Sequence, residues 1–328
     1  MKSFFYARAT DLQSALQLLS ERPNAKLLGG GTNLIDLMRE NIEQPDALVD
    51  VSGLPLDRIE ASADGGLVIG AAVKNTALAL SPLVRERYPM LAQAVLFGAS
   101  GQIRNMATVA GNIMQRTRCL YFYDRTASCN KRAPGTGCDA IGGFNRMHAI
   151  LGASDSCVAT HPSDMCVALA ALGAVVNIVG PNGERSVPLT EFHRLPGDSP
   201  QFETVLAPNE LITGVAISPI AFARHSLYRK VRDRASYAFA LVSVAAAMEV
   251  REGKVCYVRL ALGGVAHKPW RAFEAERALT GAPADRRVFL AAADAELAVA
   301  KGLTYNSFKI ELARRVIVGA FVELANRS

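Results

Sequence analysis

The pattern of apolar and polar positions predicts a chain in which helices and strands are mixed. In segment 11–21, apolar residues recur every three or four positions, which is typical of an amphipathic helix. Segment 76–97 has similar spacing, but Pro82 and Pro89 should divide it into shorter helices because proline lacks the amide that continues a helix. Short runs of small and β-branched residues predict strands at 47–52, 66–73, 175–189 and 210–219.

The pattern changes twice along the chain. Residues 116–156 show no clear periodicity and are rich in glycine, which predicts a long loop; loops of this length in a compact domain are usually functional. Regular structure resumes with an apolar helix in segment 163–174. After about residue 220, strands within 225–263 are followed by apolar helices at about 270–279, 286–299 and 306–325. We therefore place a domain boundary near residue 220.

The composition is that of a globular protein with substantial cores. Of the 328 residues, 50% are hydrophobic and 20% are charged, which suits two domains. The net charge is +6, but no lysine or arginine run is long enough to predict a nucleic-acid-binding arm. Charges interrupt the N-terminal apolar run too early for a secretory signal, and no stretch of about 18 apolar residues predicts a membrane span.

Three consecutive glycines, Gly29, Gly30 and Gly31, separate a predicted strand from a predicted helix. Glycine lets backbone amides converge on an anion, and Thr32 and Asn33 add donors at the helix N-terminus, where the helix dipole favours negative charge. The loop matches neither the Gly-x-Gly-x-x-Gly nor the Walker A pattern. It suits a pyrophosphate, but a tight turn with Thr32 as helix cap explains the loop alone equally well.

A second segment, shortly before the long loop, repeats this chemistry. Ala107, Ala110 and Gly111 allow close backbone approach, and Thr108 and Asn112 offer hydrogen bonds. With GGGTNL, ATVAGN and the later HPSD in this order, the chain resembles the FAD-binding medium subunits of molybdenum hydroxylases. That family includes the xanthine dehydrogenases, aldehyde oxidoreductases and carbon monoxide dehydrogenases.

The resemblance extends over essentially the whole chain, since YRKVRDRASYAFALVSVAAAME and LALGGVAHKPWRA also match the family. It is most specific for the branch of periplasmic-type aldehyde oxidoreductases. It implies an α+β fold in which a two-part FAD-binding domain of the PCMH, or vanillyl-alcohol oxidase-like, type precedes a smaller α+β C-terminal flavoprotein domain. The implied bounds are 1–220, divided into 1–55 and 56–220 with an insertion at about 114–160, and 221–328.

The resemblance also implies which residues contact FAD. One group would wrap the pyrophosphate: Leu28, Gly29, Gly30, Gly31, Thr32, Asn33 and Leu34. A second phosphate and ribityl contact would come from Ala107, Thr108, Gly111 and Asn112. Asp164 would hold the ribose end of the nucleotide, and Lys230 would lie near the flavin. From the sequence alone, Asp164 is more typical of a helix cap and Lys230 of an ordinary exposed lysine.

The cysteines are unevenly distributed. Four lie in the polar, glycine-rich loop with nine, eight and eighteen residues between them: Cys119, Cys129, Cys138 and Cys157. Six cysteines are too few for a disulfide scaffold in a chain of this length. Cys166 and Cys256 lie among apolar residues of a predicted helix and a predicted strand, so we expect both in the core.

The spacing of the four loop cysteines leaves the kind of site open. Zinc sites usually show Cys-x2–4-Cys pairs, which are absent here; scattered reduced thiols are the plainest interpretation, and His148 could replace one ligand. Relatives in a subset of the resembled family carry a 4Fe–4S cluster in an insertion at this place, so the resemblance favours a cluster held by four thiolates. Nearby cations would offset its negative charge: Arg116, Arg118, Arg125, Lys131 and Arg132.

The sequence shows no nucleophile elbow and no evident acid–base group, so we expect an electron relay. The resemblance implies a heterotrimer in which a large partner holds the molybdenum cofactor and a small partner holds 2Fe–2S centres. Electrons would pass from those centres to FAD here and on to an external acceptor. A stand-alone FAD oxidoreductase and a zinc-stabilised binding module are the alternatives. The chain itself predicts the cytoplasm, and folded export on a partner's twin-arginine signal leaves the periplasm open.

Overall fold

The computed structural model, which describes residues 1–327, begins with a small parallel sheet flanked by helices. Its elements are β1 (Phe5–Arg8), α1 (Leu12–Glu21), β2 (Ala25–Leu28), α2 (Leu34–Arg39) and β3 (Ala47–Asp50). β3 is the central strand and pairs in parallel with both others. The glycine turn therefore leaves the carboxyl end of a parallel strand, the edge at which open sheets of this kind bind ligands.

A five-stranded antiparallel sheet and many short helices form the second unit. The elements before the long loop are β4 (Ile59–Ala61), β5 (Leu67–Gly70), α3 (Asn75–Leu80), α4 (Pro82–Arg87), α5 (Pro89–Gly98), α6 (Gly101–Met106) and α7 (Val109–Ile113). The loop holds only α8 (Leu120–Tyr123) and α9 (Asp139–Gly142), and it is followed by α10 (Asp164–Ala171), β6 (Val175–Gly180), β7 (Gly183–Pro188), α11 (Leu189–Phe192) and β8 (Leu211–Ile217). The strand order is β4-β5-β8-β6-β7. Pro82 and Pro89 each start a helix, as predicted.

A four-stranded antiparallel sheet with three helices forms the C-terminal unit. Its elements are β9 (Ser226–Val231), β10 (Val242–Arg251), β11 (Lys254–Gly263), β12 (Trp270–Arg271), α12 (Phe273–Leu279), α13 (Arg286–Leu297) and α14 (Phe308–Ala325), with strand order β12-β11-β10-β9. Together the three units confirm the predicted α+β class.

Both faces of the C-terminal sheet are buried, which explains why its two long strands are almost continuously apolar. Successive side chains of a strand point to opposite faces. Ala245, Ala247 and Ala261 join the core around α5 and α10, while Val244 and Leu260 join the core under α12–α14. Alanines on the α10 side allow that helix to lie close to the sheet.

The long loop is held in place by the C-terminal unit. Asn306 donates from its side-chain amide to the carbonyl oxygens of His148 and Ala149 at 3.2 and 3.1 Å. Lys309, which is fully buried in α14, donates from Nζ to the His148 carbonyl oxygen at 2.8 Å. The loop therefore has a defined conformation although it contains little regular secondary structure.

The two remaining cysteines differ from each other. Cys166 is fully buried in α10, as predicted. The expectation that Cys256 lies in the core is wrong: it is half-buried near the exposed start of β11, beside the register shift at Glu249 and Val250. Throughout residues 1–327, no helix has both the length and the apolar character needed to cross a membrane.

A buried ion pair ties the C-terminal unit to α10. Arg271 and Glu276 have side chains that are 4% and 11% exposed, and Nη2 of Arg271 contacts Oε2 of Glu276 at 3.0 Å. Arg271 also donates from Nη1 to the carbonyl oxygen of Ala170 at 2.8 Å, and Glu276 accepts from the amide of Leu260 at 2.7 Å.

We predict that Glu276→Gln lowers the free energy of unfolding by about 3–5 kcal/mol, because it leaves the buried Arg271 cation without its counter-ion. The matched control is Glu274→Gln in the same helix. Glu274 pairs with Arg277, but the two side chains are 55% and 69% exposed, so this change should cost at most about 1 kcal/mol. Urea denaturation monitored by circular dichroism measures both; equal effects would contradict the prediction.

Candidate functional site: a cavity beside a group of cysteines

Two glycine-bearing segments meet directly at their backbones. A Cβ placed on Gly30 would lie 1.9 Å from the carbonyl oxygen of Met106 and 3.0 Å from Cα of Ala107. Only glycine therefore allows the turn after β2 to lie against the end of α6. Gly31 adds a φ of 72°, in the left-handed region that glycine adopts without strain.

Thr108 connects the same two segments through its side chain. Its Oγ1 accepts a hydrogen bond from the amide of Gly111 at 3.2 Å and so caps α7. That atom would lie 2.8 Å from a Cβ placed on Gly29. The turn therefore lies directly against the N-cap of α7.

Asn33 occupies the N-cap position of α2, but its side chain makes no capping bond. Its Oδ1 instead accepts from the backbone amide of Arg116 at 2.8 Å, while Nδ2 is buried without a hydrogen-bond partner in the described part of the chain. The interpretation of Thr32 as helix cap is wrong, because α2 begins at Leu34 and its N-cap position is therefore Asn33.

The meeting segments form one wall of a cavity of about 500 Å³, a volume within the range of small-molecule sites. All of 28–34 lines this wall, together with Thr108 and Gly111. The rest of the lining includes many polar or charged side chains, among them Glu43, Arg116, His161, His193, Gln201, Glu203 and His267.

Two predicted contact residues lie behind this wall. Ala107 is buried where Gly30 meets α6. Asn112 accepts through Oδ1 from the hydroxyl of Ser163 at 2.7 Å, which links α7 to the start of α10. Both residues support the wall, and neither lines the cavity itself.

Asp164 and Lys230 form a buried pair at the junction of α10 and β9. Nζ of Lys230 lies 2.7 Å from Oδ2 of Asp164, and the hydroxyl of Tyr228 donates to Oδ1 at 2.5 Å. Burial raises the pKa of Asp164 although the lysine opposes the shift. The interpretation of Asp164 as a helix cap is wrong, because Ser163 caps α10. The interpretation of Lys230 as an exposed lysine is also wrong, because its side chain is only 1% exposed.

The four loop cysteines come together. Cys129 and Cys138 face each other in an antiparallel backbone bridge. The thiol of Cys157 donates to the sulfur of Cys138, and Cys119 interacts electrostatically with Cys129 and Cys138. Nε2 of His148 lies 3.1 Å from the sulfur of Cys119, so the histidine is a neighbour of the group.

The environment divides the thiols by acidity. The hydrogen bond from Cys157 lowers the pKa of Cys138 to about 6 and raises that of Cys157. Burial raises the pKa of Cys119 to about 11, and burial lowers that of His148 to about 4. The His148 imidazole is therefore neutral at neutral pH, and Cys138 is the more acidic thiol of the hydrogen-bonded pair.

A second cavity, of about 210 Å³, lies between the cysteines and the buried acid. Cys119 and His148 line one side of it, and Asp164 and Gly263 line the other. Cys119, the one loop cysteine in this lining, and Asp164 thus border one space, an arrangement that the sequence did not reveal.

Most of the cations expected to surround the cysteines have other partners. Arg116 pairs with Glu43 and Glu203, and Arg132 donates to the carbonyl oxygens of Tyr121 and Phe122. Three cations remain: Arg118 pairs with Asp36, Arg125 is exposed, and Lys131 is buried and interacts electrostatically with Cys157.

Two histidines of the larger cavity, His161 and His193, are not among the site residues expected from the sequence. His161 and His193 have ring centroids 4.3 Å apart, and both approach the thiol of Cys166. Burial holds the pKa of His193 at about 4 and that of His161 well below its usual value, so both rings are neutral. HPSD contains His161, but no local signal marks His193, which lies 32 residues further on.

We predict that iodoacetamide modifies Cys138 before Cys119 in protein freed of metal. The two thiols are similarly half-buried, so their different acidity should decide the order, because the thiolate is the nucleophile. The rate at Cys138 should fall as the pH drops through about 6. Mass spectrometry of tryptic peptides measures both rates with Cys256 as internal reference; faster labelling of Cys119 at pH 7 would contradict the assignment.

Comparison with known families agrees with this geometry. A family described as the FAD binding domain in molybdopterin dehydrogenase matches residues 2–219. One described as the CO dehydrogenase flavoprotein C-terminal domain matches residues 226–322.

Individual proteins match over nearly their full lengths. The aldehyde oxidoreductase FAD-binding subunit PaoB of Escherichia coli K12 is 50% identical over 325 residues, with 98% of each chain covered. The glyceraldehyde dehydrogenase medium chain of Sulfolobus acidocaldarius is 28% identical over an alignment that covers 85% of this chain and 81% of the relative. Carbon monoxide dehydrogenase from Hydrogenophaga pseudoflava superimposes with a TM-score of 0.77 at 26% identity, over 99% of this chain and 98% of that one. The chain therefore belongs to the FAD-binding medium subunits of the molybdenum hydroxylase family, whose members are oxidoreductases.

Proposed function

We propose that this chain is the FAD- and 4Fe–4S-containing electron-transfer subunit of a molybdenum-dependent aldehyde oxidoreductase. The observation that carries the FAD part is the close backbone approach of Gly30 to Met106. It keeps side chains out of the wall where a pyrophosphate would lie and leaves backbone amides to bind it.

The residues of the cavity fit a dinucleotide. Asn33 presents a buried amide donor that has no partner within residues 1–327, and a phosphate oxygen would satisfy it. The run 28–34 would wrap the pyrophosphate, with Thr108 and Gly111 opposite. Ala107 and Asn112 would act by supporting that wall. Bound FAD supplies the ability to accept electrons in pairs and release them singly.

Asp164 and Lys230 would bind the cofactor beyond the cavity. Asp164 of this buried ion pair lines the second cavity, so a ligand that extends from the glycine turn into that cavity would reach a preorganised pair of charges. Because both charges are satisfied by each other and by Tyr228, the site can bind hydroxyl or ring atoms without leaving an unpaired charge.

The arrangement of the four cysteines supports a cluster rather than zinc. Zinc holds its ligands at about 2.3 Å, which puts tetrahedral sulfurs about 3.8 Å apart. Among residues 1–327, the only three histidine, cysteine or acidic residues with ligand atoms all within 4.8 Å are His161, Cys166 and His193. The loop cysteines form no such set of three, although Cys157 is hydrogen-bonded to Cys138. Four grouped thiols match the number of ligands that a cubane needs, namely Cys119, Cys129, Cys138 and Cys157.

The partners follow from the relatives. Their names describe medium chains and subunits of larger enzymes, including an aldehyde oxidoreductase. We infer a heterotrimer in which a large chain binds the molybdenum cofactor and a small chain binds 2Fe–2S centres. Electrons would enter this chain from the 2Fe–2S centres, reach FAD and leave to an external acceptor.

The test is an anaerobic absorbance spectrum of the purified chain with iron, sulfide and zinc analysis on the same sample. Flavin bands with about four irons per chain would support the proposal. Flavin bands together with zinc, or with no metal, would overturn the assignment of the cluster and leave the assignment of the FAD site intact. Failure to bind FAD after anaerobic reconstitution would overturn the proposal.

We predict that Gly30→Ala lowers FAD affinity at least about tenfold, since the new Cβ must push the turn away from the Met106 carbonyl and each 1.4 kcal/mol costs a factor of ten. Iron content should not change. Gly101→Ala is the matched control, because a Cβ there meets nothing within 4 Å. Flavin fluorescence during FAD titration measures both; equal affinities would argue against the cavity as the FAD site.

We predict that replacing any one of the four loop cysteines by serine lowers iron content well below that of the parent chain, because the cluster needs four thiolates. Cys256→Ser should keep full iron content. His148→Ala should also retain iron if the histidine is a neighbour and not a ligand. Iron analysis and the absorbance of the cluster measure the iron content of each variant. If the His148 variant lost iron while one cysteine variant kept it, His148 would replace that cysteine as a ligand.

A further inference from the structure

Lys131 is a charged side chain in an unusual place. It lies two residues after Cys129 in the long loop, yet its side chain is only 1% exposed. Its Nζ contacts the Glu203 carboxylate and the Pro200 carbonyl oxygen at 2.8 Å, and Nε2 of His267 at 2.7 Å. A lysine is rarely buried in this way unless its charge and its donors are satisfied.

The three partners come from two other parts of the chain. Pro200 and Glu203 belong to the segment between α11 and β8, and His267 follows β11 in the C-terminal unit. Lys131 therefore joins the cysteine-bearing loop to both. Since Glu203 and His267 line the larger cavity, the same ammonium group also lies directly behind its charged wall.

The charges on this wall depend on Lys131. Burial would raise the pKa of Glu203, but Lys131 and Arg116 outweigh it and hold the pKa at about 2, so the carboxylate stays ionised. Burial and the nearby lysine hold the pKa of His267 at about 3, so the ring stays neutral and can accept from the ammonium. Without Lys131, the carboxylate would keep only Arg116, and His267 would lose its partner.

Lys131 also acts on the other side, toward the cysteines. It follows Cys129 by two residues, and its positive charge interacts electrostatically with Cys157. One buried ammonium group therefore interacts with a member of the cysteine group and with two residues of the cavity wall.

We infer that Lys131 is a positioning residue that couples the cysteine site to the larger cavity, so that cluster binding strengthens FAD binding and FAD binding strengthens cluster binding. This inference rests on the proposed FAD and iron–sulfur sites. Ordering of the loop by the cluster places the ammonium group, which holds Glu203 and His267 in the arrangement that faces the cofactor. Such a coupling is reciprocal because it is a free energy shared by the two sites.

The first experiment measures the coupling in the unmodified chain. The FAD dissociation constant is determined by flavin fluorescence in protein with its cluster and in protein from which iron has been removed anaerobically by chelation. We expect FAD to bind at least tenfold more weakly to the iron-free protein. Retained far-ultraviolet circular dichroism shows that the fold survives the treatment.

The second experiment interrupts the link. Lys131→Met keeps the length of the side chain and removes its charge and donors, and Glu203→Gln keeps the shape of the partner and removes its charge. The coupling is expressed as the FAD dissociation constant of the iron-free protein divided by that of the protein with its cluster. In each variant we expect this ratio to fall toward one. In the double variant, the loss of FAD affinity should be smaller than the sum of the two single losses, because both remove the same interaction.

Lys301→Met is the matched control. Its backbone amide contacts the loop at the Ile150 carbonyl oxygen, but its side chain is exposed, so the ratio should equal that of the unmodified chain. A general loss of stability would lower FAD affinity without changing the ratio, and this outcome would overturn the inference.

The remaining outcomes separate the inference from the function on which it rests. A ratio of one in an unmodified chain that binds both cofactors overturns the coupling and leaves the proposed function intact. An unmodified chain that takes up no FAD or no iron overturns both. If Lys131→Met does not fold, Glu203→Gln decides with the same ratio, and a ratio unchanged by that variant also overturns the inference.

Discussion

The contact between Gly30 and the Met106 carbonyl oxygen is the constraint on which the site depends. At this point the parallel sheet of the first unit meets the short helices of the second, with no room for a side chain between the two backbones. The contact sets the direction of the turn after β2 and the position of α7. Since Arg116 donates its amide to Asn33 just beyond α7, it also sets where the long loop begins.

Charges near the site are buried, and each is held by a specific partner. Asp164 faces Lys230, and Glu203 faces both Lys131 and Arg116. Removing a charge from water costs several kcal/mol, which a well-placed partner must offset. Such pairs therefore define the positions of the side chains around the cavities more than they add stability.

Features that depend on neighbouring residues were predicted well. The prolines at 82 and 89 start helices, Cys166 lies inside an apolar helix, and the region 116–156 lacks long regular elements. The glycine run was recognised as a turn, and the resemblance to a known family was confirmed. Predictions failed where an outcome depended on distant contacts: Cys256 is not in the core, and Lys230 is not exposed.

The sequence by itself determined the local elements and the residue types available to each site, because backbone preferences and apolar periodicity act over a few positions. Through its motifs it also supported the family resemblance that implied the α+β class. Only the tertiary structure decided which of those residues meet. Lys131 and His267 are 136 residues apart, and so are Met90 and Ser226, where the Met90 amide donates to the Ser226 hydroxyl. Neither of these two contacts leaves a local signal in the sequence. Burial then decided their chemistry, because the protonation state of a group depends on its desolvation and on the charges that the fold brings beside it.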